Sequence, residues 1–251
     1  MSRDLSEEEI KNNLEFLNSK LPTRPTAIDG LYKLPREFWS EVIGTDFSQQ
    51  SLQRISDHIG YFLGIVKSIQ VTFVEDSTDY RWGLGNWDNP SVTGLYKAVG
   101  YDHGEILLIK KAKYKLKHVL AILAHEYTHH YLYQHNVKKN DTDENEILTD
   151  LAAAYLGLGH FLVDGYEPII WKSNYYNYIF VSGYTTNKIV LGYVTSRTIT
   201  KAIILSAELR KWHPGEVVSS FSSFFDKIMV YLELWPYRRE FERRDGGRNK
   251  S

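Results

Sequence analysis

The sequence predicts an α+β protein, mainly helical, with a small mixed or antiparallel sheet placed just ahead of a long central helix. Three observations carry this expectation. Apolar residues recur at helical spacing over most of the chain, three strand-like apolar runs fall within residues 69–109, and neither Gly nor Pro interrupts residues 115–135.

Composition sets the limits. With 251 residues, 43% of them hydrophobic and 24% charged, the chain can bury a large core without cross-links. Its 30 basic and 31 acidic residues leave a net charge of -1, so no global field recruits nucleic acid or an anionic membrane. The absence of Cys excludes disulfides and thiolate ligands, and any metal site must therefore use His, Asp or Glu. The N-terminus is acidic, and no apolar run reaches the length of a signal core or a membrane span, so a cytoplasmic protein without a membrane segment is expected.

Ser6 and Glu9 form a capping-box pattern ahead of Ile10, Leu14 and Leu17, which predicts a helix over 6–19. Leu21-Pro22-Thr23-Arg24-Pro25 ends it and opens an irregular stretch to Gly44, with Phe38 and Trp39 as anchors. A second helix is expected over 48–66, burying Leu52, Ile55, Ile59, Phe62, Leu63 and Val66. Strands follow at 69–74, 92–99 and 105–109, with a turn-rich loop holding Trp82, Trp87 and Asn89-Pro90 after the first. The long helix runs from Lys115 to about His135, the loop 136–143 ends it, and another helix extends from Asp143 or Glu144 to Tyr155 until Gly157 and Gly159 close it. A tyrosine-rich hairpin is expected over 175–193, with Tyr175, Tyr176, Tyr178 and Tyr184 as possible cleft residues, then helices at 196–212 and 214–233.

The chemistry lies in the central helix. His125 and His129, four residues apart, project from one face about 6 Å apart and can converge on one ion, while Glu126 at the neighbouring azimuth can serve as general base on a water. With 9 His and 17 Glu, random order gives this pattern roughly 0.02 times per chain. A solvated surface helix is the bland alternative. Ala121-Ile122-Leu123-Ala124 leads directly into His125, however, and a buried His-Glu-His cluster needs partners.

A third ligand has two sources. His135 reproduces the histidine spacing of HExxHxxGxxH, but Leu132 stands where a Gly must bend the chain, and the two methionines, Met1 and Met229, offer no Met-turn. A continuing helix puts His135 about 15 Å along the axis from His125. The other source is Glu146 on the following helix, with Asp150 one turn later on the same face; the short loop allows antiparallel packing. Glu144 competes with Glu146, and Glu146 could instead close a capping box with Asp143.

His125-Glu126-Tyr127-Thr128-His129 followed by Glu146-Ile147-Leu148-Thr149-Asp150 resembles the HExxH and ExxxD pair of the gluzincin metallopeptidases, which thermolysin-like and neprilysin-like enzymes share. The resemblance covers about 26 residues. It implies a zincin-like fold, Zn2+ held by His125, His129 and Glu146, Asp150 orienting one imidazole, and a peptide or protein substrate. It also implies that a sheet edge, taken as Glu105 to Ile109, lines the cleft, and that a Tyr or His stabilises the oxyanion: Tyr193, with His160 and His213 as rivals. On this reading residues 1–65 are an N-terminal helical region packing on the core, 66–235 the metallopeptidase domain, and 236–251 a basic flexible tail. The competing function is a zinc-stabilised binding or regulatory module without turnover. Nucleic-acid binding through Arg238, Arg239, Arg243, Arg244 and Arg248 is disfavoured by the interspersed Glu240, Glu242 and Asp245.

Overall fold

The computed structural model describes residues 2–22, 25–41, 48–75, 94–99, 103–110, 115–166, 169–176, 182–189, 192–239 and 241. Helix α1 (Glu7–Lys20) starts with the expected reciprocal cap between Ser6 and Glu9 and buries Ile10, Leu14 and Leu17. A short α2 (Arg36–Glu41) interrupts the stretch expected to be irregular, and Phe38 is buried there. Helix α3 (Gln49–Leu63) is capped by Ser48 and ends at Gly64 in the left-handed region, three residues short of expectation. Val66 therefore lies outside the helix and is 97% exposed, whereas Leu52, Ile55, Ile59, Phe62 and Leu63 face the core as expected.

Strands β1 (Gln70–Glu75), β2 (Gly94–Ala98) and β3 (Gly104–Lys110) form a mixed sheet in the order β1-β3-β2, with β1 parallel and β2 antiparallel to β3. The expectation that Glu105 to Ile109 is an edge is overturned: β3 is the central strand. Successive residues Ile106, Leu107 and Leu108 are all buried, which requires cover on both faces of the strand. Among the described strands β2 is the edge beside the central helix.

That helix, α4 (Leu116–Gln134), is enclosed by α3, β2, β3 and the two helices that follow it, and nearly every residue from His118 to Leu132 is buried. It ends because Asn136 adopts a left-handed conformation, φ 52°, letting Val137 N–H reach the Leu132 carbonyl at 2.9 Å and Asn136 N–H reach that of Tyr133 at 3.0 Å. Buried Val137 and Leu132 add the apolar contact typical of this stop. Asp141 then caps α5 (Thr142–Tyr155), accepting the Glu144 N–H at 2.9 Å. Helix α5 runs back along α4, which brings Glu146 and Thr149 beside His129 and Asp150 beside His125.

A helix missing from the expectation, α6 (Gly159–Gly165), follows α5 at a bend of 114° and packs on α4 and α7 (Ser196–Arg210). Between them β4 (Ile169–Tyr176) and β5 (Ser182–Ile189) form the expected antiparallel hairpin, beginning earlier than read. Its side chains, and the loop with Trp82, Trp87 and Asn89-Pro90, lie outside what is described. The helix expected over 214–233 is two, α8 (Pro214–Ser220) and α9 (Phe224–Glu233), because Phe221 turns extended and buries its ring while the Ser222 hydroxyl donates to Asp164 at 2.7 Å. Tyr237 donates to the Trp212 carbonyl at 2.9 Å; residues 242–251 lie outside the described residues. One apolar cluster extends from Ile10 to Leu234. Among the described residues no single helix is long and apolar enough to cross a membrane; α5 with α6 passes on length and composition only as a bent pair.

The α4 stop fixes where α5 turns back, and Asn136 is exposed, so its substitution reads backbone strain alone. Asn136→Ala is expected to lower unfolding free energy by about 1 kcal/mol, and Asn136→Gly to leave it unchanged or slightly raised. Urea denaturation measures both; equal stability of the Ala and Gly variants would remove the role given to the left-handed residue.

Candidate metal centre

His125 and His129 sit one turn apart on α4 with their Nε2 atoms 3.0 Å from each other. Glu146 Oε2, from the second turn of α5, lies 3.1 Å from the first and 3.0 Å from the second. The opposite ring nitrogens decide the protonation. His125 Nδ1 lies 2.8 Å from Asp150 Oδ1, a carboxylate that can only accept. His129 Nδ1 lies 3.3 Å from Thr149 Oγ1, whose own proton goes to the Asn145 carbonyl at 2.9 Å. Both Nδ1 atoms therefore donate, and once the imidazoles are neutral both Nε2 atoms turn lone pairs toward one point, together with a carboxylate oxygen.

Three lone-pair donors facing one another repel unless a proton or a metal cation lies between them. For tetrahedral ligands with bonds of roughly 2.0–2.1 Å the ligand atoms stand about 3.3 Å apart, close to the spacing found here. The trio His125, His129 and Glu146 can hold a metal ion, and an N, N, O donor set suits a borderline divalent cation. Among the described residues three such ligands converge, one fewer than a tetrahedral shell holds.

Asp150 is fully buried and accepts four hydrogen bonds. Oδ1 receives His125 Nδ1–H and the Tyr166 hydroxyl at 2.5 Å; Oδ2 receives the backbone N–H groups of Tyr193 at 2.9 Å and Val194 at 3.2 Å. Burial alone opposes protonation of His125, but Asp150 and Glu146 outweigh it and hold the imidazole well above its ordinary 6.5. Burial likewise pushes Glu146 up, but hydrogen bonds from the two imidazoles prevail and bring it down to about 2.

Glu126 is buried beside the trio, and that burial, with some help from Glu146, raises its pKa against the opposing imidazoles and the Tyr96 N–H. Strand β2 comes this close because residue 94 has no side chain: a Cβ there would fall 2.4 Å from Ile122 Cγ2 and 2.8 Å from Glu126 Oε1. Val99 N–H donates to the His103 carbonyl, so by the alternation of an antiparallel ladder positions 95, 97 and 99 face β3 and positions 94, 96 and 98 turn their backbone groups outward. The Tyr96 N–H that meets Glu126 is one of these.

Tyr193 stacks on His125, ring centroids 6.0 Å apart and planes at 18°, and remains 44% exposed. Burial, reinforced by Glu146, Glu126 and Asp150, pushes its phenol up to about 12, which keeps it a hydrogen-bond donor. Its rivals stand elsewhere. His160 stacks on Phe161 in α6, where burial drives it down to about 3, and His213 caps α8 through the Gly215 N–H. His135 donates to the Tyr131 carbonyl at the end of α4 and does not join the trio. Glu144 is exposed in the first turn of α5, and the cap there is Asp141, so Glu146 is free of capping duty. Sequence reasoning missed Thr149 and Tyr166. Thr149 was signalled by its place beside Asp150 on the inward face; Tyr166 carried no local signal.

No known family, curated protein or solved structure matches the chain. What it can do rests on the residues themselves.

Two outcomes follow from this geometry. Asp150→Asn would offer one acceptor oxygen where four donors converge, and is expected to cost about 3 kcal/mol or more in stability and 10- to 100-fold in metal affinity, checked by denaturation and chelator competition. The pH dependence is expected to have opposite signs with and without metal. In the metal-free chain the raised His125 stabilises the fold below 6.5, and this is lost as pH climbs through its raised value. Glu126, also raised, costs stability as pH rises above 4.5. Metal binding instead strengthens with pH, as protons stop competing for Nε2. With chelator the Tm should fall as pH rises from about 6.5 to 9, and the increment given by added metal should grow; an increment that shrinks would contradict the ligand assignment.

Proposed function

We propose that the chain is a zinc metallopeptidase of the gluzincin type, acting on a peptide or protein substrate. The observation that carries this reading is the buried Glu126 carboxylate beside a trio that, among the described residues, is one ligand short of a tetrahedral shell. A site built only to tie helices together closes its coordination shell with protein and has no use for a base. Zinc bound to His125, His129 and Glu146 would supply the Lewis acidity that polarises a carbonyl and brings a water within reach of a weak base.

The chain's own residues do the remainder. Glu126, its pKa raised by burial, takes the proton from the attacking water and passes it to the departing amine. Its hydrogen bond with Tyr96 N–H fixes the carboxylate against β2. Tyr193, protonated and partly exposed beside His125, donates to the oxyanion of the tetrahedral species. The outward backbone groups of β2 offer an extended peptide a strand to pair with, the part first assigned to β3. Glu146 serves as the third ligand and Asp150 as the acceptor that orients His125.

The test is metal analysis and peptide hydrolysis on purified wild type, His129→Ala and Glu126→Gln. Wild type is expected to hold one zinc per chain, and His129→Ala to lose it. Glu126→Gln should keep the metal while kcat/KM on a peptide library falls at least about 100-fold. Undiminished turnover in Glu126→Gln would leave a structural site only, and zinc retained in His129→Ala would remove the ligand assignment.

A further inference from the structure

The metal centre is backed by a segment remote in sequence. Asp150 is gripped through the N–H groups of Tyr193 and Val194, and this short stretch ahead of α7 has little regular structure of its own. What holds it is the start of the chain. Arg3 and Val194 form an isolated parallel bridge, with Arg3 N–H donating to the Tyr193 carbonyl at 2.8 Å and Thr195 N–H donating to the Arg3 carbonyl at 3.0 Å. The hydroxyls of Thr195 and Thr198 both donate to Asp4 Oδ1 at 2.9 Å, and Leu5 N–H donates to Thr198 Oγ1 at 3.1 Å. Ser6 then caps α1, which packs on α5 and α7.

Tyr193 is thereby fixed at both of its backbone groups: its N–H on Asp150 and its carbonyl on Arg3. From the other side the Tyr166 ring lies against Gly192, whose φ is 87° and where a Cβ would fall 1.9 Å from that ring, and its hydroxyl meets the same Asp150 oxygen as His125. Hydrogen bonds join Arg3 to Tyr193 and Thr195 and join Asp4 to Thr195 and Thr198; Tyr193 and its neighbour Val194 bond Asp150, and Asp150 bonds the His125 imidazole.

We propose that residues Arg3 to Leu5 are a positioning brace of the metal centre: they hold residues 193–195 where these can orient Asp150, and through it His125, and they set the Tyr193 ring over that imidazole. This rests on the metal-binding reading of His125, His129 and Glu146.

The variants that test it separate backbone from side chain. Arg3→Pro removes the N–H given to Tyr193, while Arg3→Ala keeps it and loses only the exposed ion pair with Glu9. Asp4→Ala removes the acceptor shared by Thr195 and Thr198, while Asp4→Asn retains an oxygen there. Zinc affinity is measured by chelator competition on the full chain, and the visible spectrum is recorded on the Co2+-loaded protein. Arg3→Pro and Asp4→Ala are expected to weaken zinc binding about tenfold and to alter the cobalt spectrum, while Arg3→Ala and Asp4→Asn match wild type. Val217→Ala, a core truncation in α8, controls for general destabilisation and should leave affinity and spectrum unchanged. Wild-type affinity in Arg3→Pro and Asp4→Ala overturns the brace while leaving the metal site standing, as does an equal loss in Val217→Ala. A wild-type chain that takes up no zinc overturns the metal reading, and the brace with it.

Discussion

A carboxylate with no exposure to water must find all its charge compensation inside the protein, and Asp150 is such a group. An ionised carboxyl in an apolar interior is tolerated only where donors surround it, and four do: one imidazole N–H, one phenol and two backbone N–H groups. These come from α4, from the residue after α6 and from the stretch ahead of α7, so satisfying one charge draws three remote parts of the chain together. The same constraint fixes which His125 nitrogen carries the proton, and thereby which one is free to bind a cation.

The helix receiving these contacts faces a related problem. α4 is enclosed on nearly all sides yet carries Tyr127, Thr128, His130 and Tyr131 as well as the ligands. Each of these side chains makes a hydrogen bond: Tyr127 with the Ser56 hydroxyl at 2.6 Å, Thr128 with the Ala124 carbonyl at 2.7 Å, His130 through Nδ1 with the Tyr96 hydroxyl at 2.8 Å, and Tyr131 with the Pro25 carbonyl. The Nε2 atoms of His125 and His129 are different, since the bonds made at Nδ1 leave them as acceptors that face only each other and a carboxylate. In a helix where other polar groups have conventional partners, that convergence is what singles out a cation site. Small residues make it reachable: Ala121 and Ala124 on α4 and Ala152 to Ala154 on α5 are all fully buried.

How far the sequence discloses this depends on the range of the interactions. Helix faces, the Ser6 and Glu9 cap, and the spacing of His125, Glu126 and His129 are local, and they are legible because periodicity and turn chemistry operate within a few residues. Glu146 and Asp150 are legible at one remove, through a loop short enough to force an antiparallel return. Val66 was misread because the apolar pattern ran past Gly64, whose left-handed backbone ends α3. The split between α8 and α9 was hidden because Phe221 keeps the apolar rhythm while leaving the helix. Tyr166, and the bridge between Arg3 and Val194, were not legible at all: each joins segments whose proximity is a property of the assembled fold.

The misplacement of β3 teaches a more specific physical lesson. An unbroken apolar run is the mark of a strand covered on both faces, and Ile106-Leu107-Leu108 is such a run; the edge assignment came from the resemblance to the gluzincins and not from these residues. With β3 central, the strand beside α4 is β2, and the site changes character. The outward face of β2 is not a passive rail at a distance from the chemistry, because its Tyr96 N–H already meets the Glu126 carboxylate. Gly94 permits that approach, since any side chain there would strike both Ile122 and Glu126. The strand at the edge of the described sheet is therefore the strand that holds the Glu126 carboxylate, so movement of β2 relative to α4 shifts both together.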